Sequence, residues 1–486
     1  MKLKQTLSKL VAPFLLGTSL QATAGTFLLS GDTTRTLSSE PVTAIVRIDE
    51  SAHLNLILKL LNGMVLDEIP DANTYLVSLP SMPFSVPYGV QMLELNTHLS
   101  LPVELEVGVL EVPSDTAALW YSEQQAFQIV RVPEAHDFTR GQGVIVADID
   151  SKFDHEHPAL ASRFVDGFDF VEGNPEGAGA LNQSSTSYMF EGGSADLYQS
   201  STSYMFEGAD TGLFQSSTSY MFENDLFQSS TSYMFEEYDI NFLDNSVVGL
   251  LTPAGAGLSH GTFTAGIIAA TAPDAKIMPL RTFDDEGKTD LFSLAKAIRY
   301  AVDHGADVIN MSWGTSTDSE AIRSAIQHAA AEGVVLVASA GNMNSEYAYY
   351  PAAYEEVIAV AATDDLDHKA SFSSYGEHVL VSAPGVNIIS AYPGGSYAIK
   401  SGTSFSAPMI SGQAALMKSL YLKDIKKRVA GTSVEIDAKN PAYQDKLGEG
   451  RTDVMKSIED GYIEEVEPPK VKKPSYGFKI FFSFGA

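Results

Sequence analysis

The chain has 486 residues, 44% of them hydrophobic, enough to fill a sizeable core and to form two or three domains. Sixty-one acidic against 31 basic side chains leave a formal charge of −30, so nucleic acid and anionic membrane surfaces would both repel it. With no cysteine there are no disulfides, and stability must come from core size or bound ions.

In chain order, Lys2, Lys4 and Lys9 flank the apolar run Leu10–Leu20, and Ala22-Thr23-Ala24 precedes Gly25. That is the pattern of a secretory signal peptide over residues 1–24, and it predicts a secreted or periplasmic protein. The run is too short to span a membrane, and no later stretch is long and apolar enough to do so. A strand over Val42–Ile48, a helix over Ser51–Leu61 ended by Gly63, and strands over Met64–Ile69 and Thr74–Leu79 follow. This βαββ order predicts a small α+β unit within residues 25–117. The stretch Pro80–Pro113, with a β-like run at Val103–Val112, is either the rest of that unit or a connector.

From residue 118 to about 460 buried, β-branched runs alternate with amphipathic helices. Val144–Ile149, Lys276–Leu280, Val308–Met311, Val334–Ala338 and Val357–Ala362 read as strands. Leu291–His304 and Ser319–Glu332 read as helices, each closed by glycine. Such alternation predicts an α/β domain, a mostly parallel sheet with helices on both faces, whose functional residues gather at the carboxyl ends of the strands.

The pattern breaks over about 172–250. The nonapeptide Gln-Ser-Ser-Thr-Ser-Tyr-Met-Phe-Glu occurs there four times unchanged, starting at Gln183, Gln199, Gln215 and Gln228. Identical copies with an uneven last step point to a duplicated surface insertion rather than a solenoid; a lid or docking surface is the alternative. Residues 461–486, rich in proline and lysine before an aromatic end, read as a tail.

Four stretches carry candidate chemistry. Val144 to Ser151 is a buried strand ending in the carboxylate Asp150. Ser259-His260-Gly261-Thr262 sets a histidine at the start of a small-residue helix, and Ala338-Ser339-Ala340-Gly341-Asn342 is a strand running into a Gly-Asn turn. Gly402-Thr403-Ser404 lifts a serine hydroxyl at the start of an apolar helix, where developing negative charge is favoured; Pro408 sits in its first turns. Each residue taken singly also reads as a cap or turn residue.

Together these stretches resemble the subtilisin-like serine proteases, the subtilases, in the order Asp…His…Ser. Asn310-Met311-Ser312-Trp313-Gly314, Ser371 to Gly376, Ala383 to Val386 and Gly448 to Arg451 also look like the family. The resemblance runs from about Gln124 to Ile458 outside the insertion, and the N-terminal unit is similar, less closely, to the inhibitory propeptide of these proteases. It implies a secreted endopeptidase made as a precursor, acting on proteins or peptides, with its own N-terminal propeptide as a partner. Ser404 would be the nucleophile, His260 the base, and Asp150 the residue that orients and stabilises the imidazolium. Asn342 and the Ser404 N–H would form the oxyanion hole. Ser312, Trp313 and Gly314, with Ser339, Ala340 and Gly341, would form two backbone edges for an extended substrate. No cofactor is required for this chemistry; structural calcium is common in the family, and Asp284, Asp285 and Asp290 are candidate ligands without an assignable site. The competing reading is a catalytically weak subtilase scaffold that binds partners through its repeats.

Three residues depart from the family pattern. Asp148 replaces an apolar strand residue and, two positions before Asp150, faces the same side, so mutual repulsion should raise the pKa of the pair. Lys152 replaces a glycine, and Phe263 replaces a second histidine. Asp150 to His260 spans 110 positions (260 − 150) and His260 to Ser404 spans 144 (404 − 260), so the excess length lies in the first interval, in the repeats.

Overall fold

In a computed structural model the structure describes residues 41–50, 52–110, 119–173 and 256–465. The expected signal peptide, all four repeats and residues 466–486 lie outside the described residues.

Alternating apolar residues build the N-terminal unit. Strand β1 (Val42–Ile48) is followed by helix α1 (Leu54–Leu61), β2 (Met64–Ile69), β3 (Thr74–Leu79) and β4 (Val90–Leu95), giving an antiparallel sheet in the order β2-β3-β1-β4. Helix α1 begins at Leu54, three residues later than the sequence suggested, and ends on Asn62 in the left-handed conformation. The period of two sends Ala44 and Val46 to one face, where they pack with Ile57 and Leu61 of α1. Ile45 points to the opposite face and, with Ile69 and Met92, joins the core of the following domain.

Two short strands complete this region: β5 (His98–Ser100) and β6 (Leu105–Leu110). The stretch left open above divides between both readings: β4 finishes the N-terminal sheet, whereas β5 and β6 lie along the main domain.

Short helices α2 (Leu119–Ser122), α3 (Gln125–Ile129) and α4 (Val132–Ala135) lead into β7 (Ile145–Asp150) and β8 (Phe168–Asp169). Then come α5 (Ala256–Thr271), β9 (Lys276–Arg281), β10 (Lys288–Asp290), α6 (Leu291–Asp303), β11 (Val308–Met311), α7 (Glu320–Ala331), β12 (Val335–Ser339) and β13 (Val357–Thr363). The chain finishes with β14 (Val381–Pro384), β15 (Ile388–Tyr392), β16 (Ser396–Ser401), α8 (Thr403–Ser419), α9 (Ile425–Gly431) and α10 (Val454–Glu465). Seven strands form a fully parallel sheet in the order β14-β13-β12-β11-β7-β9-β8. Helices α6 and α7 pack on one face with Ala147, Ile149, Ile309 and Leu336. Helices α5 and α8 pack on the other with Val146, Val308 and Val337. Because side chains alternate along β7, Asp148 and Asp150 share the α5–α8 side with Val146.

The N-terminal unit is bolted to α6 and α7. Glu94 accepts from Ser319 Oγ (2.8 Å), Glu320 N (3.0 Å) and Ala321 N (3.1 Å), so its carboxylate caps the positive end of α7. Asn96 Oδ1 accepts from Phe292 N in the first turn of α6 (3.1 Å), and Lys296 pairs with Asp67 (2.7 Å). From there β5 runs antiparallel to β10, and β6 pairs antiparallel with β16, extending the sheet β15-β16-β6. The link between them, residues 101–104, crosses the carboxyl end of the parallel sheet.

Candidate active site

Strand β7 delivers Asp150 to that end of the sheet, fully buried. Its carboxylate accepts from Ser151 N (2.6 Å) and lies 2.7 and 2.8 Å from His260 Nδ1. His260 stands one turn inside α5, not at its start as the sequence suggested. Gly261 lets this helix close on the strand exit, since a Cβ there would stand 2.8 Å from Lys152 O and 2.9 Å from Ser151 O.

Ser404 is the second residue of α8, so its N–H is one of the helix's first donors and lacks an intrahelical acceptor. Its Oγ is buried and has no hydrogen-bond partner among the described residues. Asn342 follows β12 through Gly341, which takes φ +100°, a conformation that favours glycine. The Asn342 amide has a fixed orientation. Its Oδ1 accepts from Thr403 N (2.9 Å) and Thr403 Oγ1 (2.7 Å), which leaves Nδ2 to point outward as a donor.

Both outward-facing groups are already occupied by the crossing segment. Asn342 Nδ2 donates to Val103 O (3.1 Å), and His260 Nε2 lies 2.8 Å from Glu104 Oε1. The second contact is an ion pair rather than an aligned hydrogen bond. The Glu104 side chain also reaches Gly402, its Cγ 3.5 Å from where a Cβ on that residue would stand. Thus the structure brings Asp150 and His260 together, places Ser404 and Asn342 at the same end of the sheet, and interposes Glu104. Burial disfavours charge on His260, but the charges of Asp150 and Glu104, with the Asp150 hydrogen bond, push its pKa up to about 10.

A buried polar chain runs behind the site. Asp148 takes Asn310 Nδ2 (2.8 Å) on Oδ1 and meets Thr264 Oγ1 (2.9 Å) with Oδ2. Asn310 stands opposite Asp148 in the parallel register and also contacts Ser312 Oγ (3.0 Å), which donates to Ser404 O (2.8 Å). Burial first, then the charge of Asp150, push the Asp148 pKa up to about 8, against its two hydrogen bonds and the charge of His260. Thr264 Oγ1 donates to Asp148 Oδ2 and also lies 3.1 Å from Gly261 O, so its hydroxyl can turn to either acceptor.

The folded chain holds the Asp148 proton more tightly than the unfolded chain, so this residue erodes stability as pH rises from 3.8 to about 8. Asp148→Asn keeps the shape and both hydrogen bonds without that penalty. Its Tm should match the wild type near pH 4 and exceed it by at least about 2 °C at pH 8, read by thermal unfolding. Equal differences at both pH values would refute the assignment.

The remaining named residues divide. Ser312 turns its hydroxyl to Ser404 O, Trp313 is fully buried, and Ser339 and Ala340 belong to the sheet, with Ala340 N donating to Val360 O (2.9 Å). Gly314 and Gly341 lie against Tyr349. The edge that the chain's own segment pairs with is a different one, Gly287 to Asp290, with Leu101 N donating to Gly287 O (2.8 Å). Lys152 pairs with Asp285 (2.7 Å), and Phe263 packs on Phe405 at 4.4 Å between ring centroids. The three candidate calcium ligands have other partners. Asp285 also pairs with Arg281 (2.7 Å), Asp284 Oδ1 accepts from Lys288 N (2.8 Å), and Asp290 caps α6 through Ser293 N (3.0 Å). No group of three or more acidic or histidine side chains placed to hold a metal occurs among the described residues.

Residues 141–444, more than half of the chain, match the model of the subtilase family. The chain belongs to the subtilase family. This subtilase is 43% identical over 182 residues to the thermophilic serine proteinase of Bacillus sp. (strain AK1), a match covering 35% of this chain and 45% of that protein. It is 29% identical over 350 residues to thermitase of Thermoactinomyces vulgaris, covering 70% of this chain and 96% of thermitase. Fervidolysin from Fervidobacterium pennivorans shares the fold, with a TM-score of 0.61 at 22% identity over 88% of this chain and 62% of that one. Subtilases need no cofactor for their chemistry. Among the described residues no helix is long and apolar enough to cross a membrane.

Proposed function

We propose that this subtilase is a serine endopeptidase made as a self-inhibited precursor and exported through the signal-like residues 1–24. The observation that carries the reading is the convergence of the Asp150–His260 pair, Ser404 on the N-terminus of α8 and the outward Asn342 amide. Ser404 Oγ attacks the carbonyl carbon of the scissile bond while its proton passes to His260 Nε2. The carbonyl oxygen takes the new negative charge and receives hydrogen bonds from Asn342 Nδ2 and Ser404 N–H. Collapse breaks the C–N bond, and His260 hands its proton to the leaving amine. Water then repeats the sequence on the acyl-enzyme, and Asp150 holds the imidazole and stabilises its charged form throughout.

In the precursor, residues 101–104 take the place of substrate. Val103 O occupies the Asn342 donor, and both ring nitrogens of His260 face carboxylates. An imidazole so placed holds two protons and cannot accept one from Ser404. Labelling the purified protein with a serine-reactive fluorophosphonate tests the reading: the mature form should label, and the untrimmed precursor far less. A mature protein freed of residues 41–110 that never labels would favour a binding scaffold.

Glu104→Gln should speed labelling of the precursor. Loss of one of two nearby negative charges raises the neutral imidazole fraction about tenfold or more at neutral pH. The same ion pair sets a pH window: its contribution is intact below 6.5 and is lost as pH rises through about 10. Labelling of the wild-type precursor should rise across that window, and the rise should flatten in the variant.

A further inference from the structure

The strands β11 and β12 are neighbours in the parallel sheet, and the residues just beyond their carboxyl ends, Gly314 and Gly341, border one gap beside Asn342. A single side chain fills it. A Cβ on Gly314 would stand 2.3 Å from Cε1 of Tyr349, and one on Gly341 would stand 3.1 Å from Cδ1 of the same ring. The ring is held there by its neighbour, since Tyr350 and Thr315 exchange both backbone hydrogen bonds at 2.8 Å. Tyr349 is partly buried, and that burial raises its phenol pKa. Val103 gives an internal comparison. Its carbonyl sits on Asn342, yet its side chain stays 73% exposed instead of entering between the two glycines.

We propose that Tyr349 closes the pocket for the residue on the acyl side of the scissile bond, so that this enzyme cleaves after small side chains such as alanine, glycine and serine. The proposal rests on the reading of Ser404 and Asn342 given above. A carbonyl seated on Asn342 leaves its own side chain two directions, the gap or solvent, and only the enclosed gap can select by size.

The test is kcat/KM of the mature enzyme on a peptide series differing only at that residue, alanine through valine and leucine to phenylalanine. Wild type should favour alanine over phenylalanine about 100-fold. Tyr349→Ala should shrink that ratio about 10- to 200-fold by admitting larger groups, and Tyr349→Phe should preserve it. Fluorophosphonate labelling is run on each form in parallel. Equal cleavage after alanine and phenylalanine by a wild type that labels normally overturns the proposal and leaves the protease reading standing. So does an unchanged profile in a labelled Tyr349→Ala enzyme. Should that variant fail to fold, the wild-type profile decides alone. A mature protein that neither labels nor cuts any peptide overturns both.

Discussion

The Ser404→Ala precursor is expected to remain full length indefinitely, and its mature form to lose about 10⁶-fold in kcat, a magnitude known from the subtilisin triad itself. The loss is large because nucleophile and base act as one unit. His260 has nothing to deprotonate without Ser404, and residual turnover comes only from substrate binding and the oxyanion donors. Folding should be unharmed. The Ser404 hydroxyl is buried without a partner among the described residues, so its removal breaks no side-chain bond seen there. The Ser312 Oγ contact survives, since it reaches the Ser404 carbonyl. Gel analysis of secreted protein, peptide hydrolysis and a thermal melt check the three parts. Self-trimming by Ser404→Ala at the wild-type rate would mean that another protease matures the chain.

Asn342→Ala should lower kcat about 10²–10³-fold with KM little changed, because its amide donates to charge that exists only after attack. The subtilisin family supplies that magnitude, and the local geometry explains why the residue suits the task. Thr403 occupies Oδ1 twice, so Nδ2 is aimed before substrate arrives and no reorganisation accompanies the reaction. The substitution also strips Thr403 N of its acceptor at the start of α8, so a modest fall in Tm should accompany the kinetic loss. Steady-state kinetics on a short peptide separates the two effects; a rise in KM with kcat intact would make Asn342 a ground-state binder instead.

The central sheet was readable because parallel strands covered on both faces are written as β-branched runs. In Val357–Thr363, for example, four of seven residues are β-branched and the other three are alanine. Strands β15 and β16 were not, since Ser390, Ser396 and Lys400 interrupt their apolar pattern; the Gly394-Gly395 pair, both at positive φ, was the hairpin signal available. Asp148 facing the side of Asp150 follows from a period of two, whereas its partner Asn310 needed the register between β7 and β11. Glu104 was invisible for a different reason. It is one carboxylate among 61 acidic residues, in an irregular stretch, and becomes special only when β5 and β6 are laid along β10 and β16. His260 was assigned a cap-like place at a helix start, but α5 begins a full turn earlier, at residues next to the insertion where no cap signal marked the boundary.

Under the proposed maturation, the pairing of β6 with β16 carries a cost. While residues 105–110 stay in place, β16 is an interior strand with both rows of main-chain groups satisfied. In the proposed mature form, freed of them, one row of N–H and C=O groups would face water as an open template for any extended chain. A substrate segment beyond the scissile bond can cover that edge, and so can another unfolded polypeptide. On that reading the strand would guard against edge-to-edge association until the protein engages other chains.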